Sequence, residues 1–140
     1  MTVQPKPPIV FACSGCSTAG QLANAVALEL DRRGVAEMSC LAGIGAAKQH
    51  FLKQLAGRDV WIVDGCPIEC SLGVFGQIRE PVHVHLRLYE LGVRKADRPP
   101  ENAAFKKLMD DVLEQARRQS AFPDTGETTL FSRPREGPAR

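Results

Sequence analysis

The sequence has no long uninterrupted apolar run, so it offers no segment able to span a bilayer as a helix. A basic-then-apolar leader is also missing: residues 1–8 are short, polar and proline-rich, and the expected location is cytoplasmic. There is no basic patch interleaved with aromatics and no acidic tract, and a net charge of +2 implies little. Neither nucleic acid nor a membrane surface is therefore expected as a partner. Nor is there an even set of cysteines. Five in 140 residues, with no secretory signal, argue against a disulfide framework and leave free thiols in a reducing compartment. The length suits one domain with a sizeable core.

What is present is an alternation of strand and helix. Residues 8–12 read as a first strand. From Thr18 the period changes, with Ala19, Leu22, Ala23, Val26, Ala27 and Leu30 on one helical face, Ser17 or Thr18 available as N-cap, and Gly34 as C-cap. Residues 35–41 read as a second strand. Gly43-Ile44-Gly45 then leads into a helix whose candidate core is Ala47, Phe51, Leu52 and Leu55. Residues 59–63 form a third, near-continuously apolar strand, as in a parallel sheet buried on both faces.

Residues 70–77 read as a short helix with Leu72, Phe75 and Ile78 inward. Residues 82–88 alternate strictly, as in a strand with one wetter face. Phe105, Leu108, Met109, Val112, Leu113 and Ala116 mark a final amphipathic helix. The pattern predicts a single α/β domain over residues 8–118, followed by a loosely packed tail over 119–140. The expected architecture is a small open, mainly parallel four-stranded sheet with helices on both faces, Rossmann-like or flavodoxin-like, in strand order 2-1-3-4.

That order gives the cysteines a geometry. Cys13 and Cys16 follow the first strand, Cys40 ends the second, and Cys66 and Cys70 follow the third. Parallel strands place all of these exits on one edge, and the first and third strands flank the point where the order reverses, where open sheets build sites. A single free cysteine reads as a small buried hydrophobe. Two close pairs and a fifth at strand exits read as a cluster. Cys13-x2-Cys16 lets two thiolates meet one ion in a turn that Gly15 eases, and Cys66-x3-Cys70 does the same if Cys70 opens a helix.

Four sulfurs suit tetrahedral zinc or an iron–sulfur cluster, with Cys40 as a fifth, substituting or accessory thiol. Helix N-termini after both turns favour thiolates. The same CxxC position also fits dithiol redox chemistry, although one redox pair leaves three cysteines without a role.

Asp64 either accepts hydrogen bonds from the turn amides, as a cap, or orients a ligand cysteine. Gly65 permits a tight turn. Glu69 reads as a solvated loop residue. The stretch Ser14-Gly15-Cys16-Ser17-Thr18-Ala19-Gly20 resembles a phosphate cradle but lacks its lysine. Nucleotide hydrolysis is not expected there, and a small anion at Ser14, Gly15, Ser17 and Thr18 is what remains. His83 and His85 lie two positions apart, ~7 Å along a strand, and read as surface or helix-covered residues rather than ligands. His50 is isolated on a helix, and Trp61 is core.

These motifs together resemble the DGC-domain family, named for the Asp-Gly-Cys at 64–66. The resemblance runs over residues 9–93. It takes in Cys13-Ser14-Gly15-Cys16, Gly20-Gln21, Ser39-Cys40-Leu41-Ala42-Gly43-Ile44-Gly45, Ile62-Val63-Asp64-Gly65-Cys66-Pro67 with Cys70, and Leu91-Gly92-Val93. It implies zinc bound by four chelating cysteines, where this chain has five at matching motifs. No catalytic residue or substrate is implied.

The expected function is metal binding, with zinc in a structural or transfer role at Cys13, Cys16, Cys66 and Cys70, and Cys40 as substitute or extra. The alternatives are a thiol/disulfide redox or iron–sulfur electron-transfer protein, and an interaction module whose cysteine edge docks a protein partner.

Overall fold

The computed structural model describes residues 6–96 and 98–120. The sequence-predicted tail therefore lies, beyond Ser120, outside the described residues. Among those described, four strands form one sheet in the order β2-β1-β3-β4. They are β1 (Ile9–Ala12), β2 (Glu37–Met38), β3 (Val60–Asp64) and β4 (Val84–Arg87), and every pairing is parallel. The expected order and class are thus observed. Helix α1 (Thr18–Arg32) and helix α5 (Asn102–Gln119) cover one face. The other carries α2 (Leu41–Gly45), α3 (Gln49–Leu52) and α4 (Cys70–Ile78).

Strand parity divides the core. Val10, Ala12, Trp61, Val63, Val84 and Leu86 pack toward α1 and α5, while Ile9, Phe11, Val60 and Ile62 pack toward Ile44, Leu55 and Phe75. Phe11 and Phe75 meet with ring centroids 5.2 Å apart. Burying each such side chain contributes about 1.5–3 kcal/mol. Ser17 caps α1 through its hydroxyl, which accepts from the Gly20 amide.

The second strand is shorter than residues 35–41, because the end of α1 uses its beginning. Gly34, at φ 72°, lets its own amide and that of Val35 return to the carbonyls of Asp31 and Leu30. At the far end Leu41 already belongs to α2, so Cys40 occupies the N-cap position of that helix. The single helix expected after it is broken at Ala47, which is exposed at φ 55°; a turn there separates α2 from α3. Phe51 and Leu52 are half-buried and Leu55 is buried, as expected.

Helix α4 is rotated relative to its expected face. It buries Ser71 and Phe75, and Leu72 is 39% exposed. The cause is hydrogen bonding: Asp64 holds the Ser71 amide, and the Ser71 hydroxyl reaches toward the Val63 carbonyl.

The outer edge of β4 is closed by side chains. The Gln119 amide group donates to the His85 carbonyl and accepts from the His85 N–H, both at 2.6 Å. Gln115, one turn earlier on α5, does the same with Arg87. Two carboxamides thus stand in for a fifth strand, and the expected wetter face of the 82–88 run is weak: His83 and Arg87 are half-buried and His85 is buried, against the buried Val84, Leu86 and Leu88.

Candidate functional site

The parallel sheet brings three loops to the C-terminal edge: residues 13–17 after β1, 39–40 after β2 and 65–69 after β3. Each carries cysteine, and all five thiols are free. Cys16, Cys40 and Cys70 are exposed, while Cys13 and Cys66 are half-buried. Cys13 also packs against the core under α1.

The first and third loops are pressed together. The Cys13 amide donates to the Val63 carbonyl at 3.1 Å, extending the sheet one bond beyond β1. A Cβ on Gly65 would lie 2.1 Å from the Ala19 carbonyl oxygen, so the Asp-Gly-Cys turn sits directly on the first turn of α1. Close approach, rather than a positive φ, is what Gly65 supplies.

The first loop is held from α1. Gln21 Nε2 donates to the Gly15 carbonyl at 2.7 Å, and the Ser14 hydroxyl, on a residue at φ 48°, donates to Asn24 Oδ1 at 2.9 Å. Around the expected anion site at Ser14, Gly15, Ser17 and Thr18, the Thr18 amide donates to the Lys95 carbonyl and the Gly20 amide to the Ser17 hydroxyl. The helix start is thus partly satisfied from within the chain.

Asp64 is 1% exposed and accepts at both oxygens: Ser71 N–H at 2.9 Å, Leu72 N–H at 3.3 Å and His85 Nε2 at 2.7 Å. It caps α4 from the end of a strand, which matches the turn-amide reading. Glu69 is more than a solvated loop residue. Its carboxylate lies 3.3 Å from His85 Nε2 and 3.2 Å from Arg87 Nε. Burial and then the Glu69 charge push the Tyr89 phenol up from its ordinary value.

Asp64, Glu69 and His85 are a group of three whose ligand atoms lie within 4.8 Å of one another; among the described residues no cysteine belongs to such a group. His83 caps β3 instead, its Nδ1 accepting from the Val60 amide, and His50 lies on α3 against Phe51. Sequence reasoning missed the meeting of Glu69 and His85 because it depends on register. Ile62 pairs with His85, and Asp64 with Arg87. The alternating run at 82–88 was the available signal.

Fold and site define a small parallel α/β protein with free thiols at the C-terminal edge of its sheet. The DGC domain family model matches residues 9–112, and the chain belongs to that family. It is 44% identical over 89 residues to the anaerobic and virulence modulator AnvM of Pseudomonas aeruginosa (strain PAO1), covering 63% of this chain and 68% of that protein. No solved structure matches it.

Proposed function

We propose that this protein binds zinc at its cysteine edge, in a structural or metal-transfer role, drawing ligands from Cys13, Cys16, Cys66 and Cys70 with Cys40 as substitute or extra. The observation that carries the reading is the seat of Gly65 on Ala19, which presses the loop bearing Cys66 against the start of the helix that follows Cys13 and Cys16. The donor set fits the ion: soft thiols held on short turns. Cys70 is the first residue of α4 and Cys16 precedes the cap of α1, so both lie where helix N-termini favour the thiolate. Four thiolates would close the coordination shell and leave no position for Lewis-acid catalysis. An iron–sulfur cluster would draw on the same donors. On this reading the work of the chain is to present these thiols from loops along one edge of the sheet, in a reducing compartment.

A thiol/disulfide role is favoured by a separate observation, the exposure of Cys16, Cys40 and Cys70 as free thiols. The relative's description as an anaerobic modulator accords with it. Ile68 and Leu72, exposed beside Cys66 and Cys70, suit a protein partner at this edge.

Purification of the untagged protein without oxygen, followed by elemental analysis and an absorbance spectrum, tests the proposal. About one zinc per chain and no visible colour is expected. Iron with sulfide and a brown colour would replace zinc with a cluster. Folded, metal-free protein with titratable thiols would sink metal binding and leave the redox reading.

A further inference from the structure

One imidazole grips both ends of the loop that carries Cys66. Asp64 precedes Gly65-Cys66-Pro67-Ile68 and Glu69 follows it. Their carboxylates converge on His85 Nε2, at 2.7 and 3.3 Å. Ionised carboxylates only accept, so the tautomer with its proton on Nε2 is the one that satisfies both. Nδ1 is buried and has no hydrogen-bond partner among the described residues, so this ring is oriented by its loop-facing nitrogen alone.

The two anchors are themselves constrained. Glu69 stands at φ 56°, a left-handed conformation that a side-chain-bearing residue keeps only when its surroundings hold it. Its carboxylate also accepts from Arg87 Nε, two positions along β4 on the same face. Asp64 fixes the first amides of α4, and hence the helix start at Cys70. Behind the imidazole, Gln119 holds both main-chain groups of His85. The Cys13–Cys16 loop shares none of these bonds; Gln21 and Asn24 brace it.

We propose that His85 is a positioning residue for the cysteine edge, a clasp from β4 that holds the 65–69 loop closed and sets the placement and accessibility of Cys66. The inference rests on reading that edge as the functional site. It assigns a role to a histidine outside the cysteine motifs, and makes Glu69 and Arg87 its supporting partners.

The test is alkylation of the reduced, metal-free full chain, with each cysteine followed by peptide mass spectrometry. In His85→Leu, Cys66 should react about tenfold faster as the loop opens locally. Cys13, equally half-buried but in the other loop, should change by less than about twofold. His85→Gln, whose side-chain N–H reaches a similar position, should restore the wild-type rate. If His85→Leu does not fold, Glu69→Gln carries the same comparison, because Glu69 is only partly buried and its loss weakens one arm of the clasp. Equal acceleration at Cys13 and Cys66, or no change at Cys66, overturns the proposal. With no metal in the assay, the outcome is independent of whether the native protein holds zinc.

Discussion

Asp64 and His85 lie on neighbouring parallel strands with Oδ2 and Nε2 2.7 Å apart, and the same carboxylate caps α4. A single buried group therefore joins β3, β4 and the helix that begins at Cys70. Asp64→Ala would leave two helix amides without their acceptor and the imidazole N–H with Glu69 alone. The expected destabilisation is about 3 kcal/mol, with a smaller loss for Asp64→Asn, read from urea denaturation midpoints at constant slope.

Two glycines four residues either side of Glu69 should respond in opposite directions. Gly65→Ala forces a methyl against the Ala19 carbonyl, a backbone group that cannot swing away, and should cost at least about 2 kcal/mol. Gly73, inside α4, has open space within 4 Å of where a methyl would sit, so Gly73→Ala should add about 0.5–1 kcal/mol through helix propensity. Thermal melts of the two variants measured side by side decide this. On the proposed zinc reading, metal content should fall in the first variant and hold in the second.

Gln119→Ala removes both bonds to the His85 main chain and reopens half of the β4 edge. A loss of about 1–2 kcal/mol is expected. Hydrogen exchange should accelerate at the His85 amide more than at Phe11, whose strand is interior to the sheet.

Glu29 provides the acid-side marker. Hydrogen bonds from Arg32, then Arg33, with their charges adding, pull its carboxyl from 4.5 to about 2. The folded chain holds this proton less tightly than the unfolded one. The stabilisation is therefore complete above pH 4.5 and is lost as pH falls from there through about 2. Arg32 is exposed, so salt should weaken the effect. A carbon-detected NMR titration should place the midpoint near 2 and return it toward 4.5 when both arginines become alanine.

Much of the sheet is legible in the chain's own pattern. The apolar runs Ile9-Val10-Phe11-Ala12 and Val60-Trp61-Ile62-Val63 are central strands buried on both faces, and the helical periodicity of residues 19–30 and 105–116 maps onto the buried sides of α1 and α5. Where local hydrogen bonding competes with periodicity, the expectation fails. Val35 and Ala36 close α1 rather than extend β2, Ala47 turns outward, and Leu72 is displaced from the core by the bonds that Asp64 and Ser71 make.

The sequence by itself determined that cysteines at 13, 16, 40, 66 and 70 gather on one edge, because parallel strands leave the sheet in the same direction and their cysteines follow those exits. Only the tertiary structure decided how that edge is braced. The Gly65–Ala19 contact, the convergence of Asp64 and Glu69 on His85, and the glutamine closure of β4 each join residues far apart in the chain. Their geometry follows from strand register and helix docking, which no local pattern encodes.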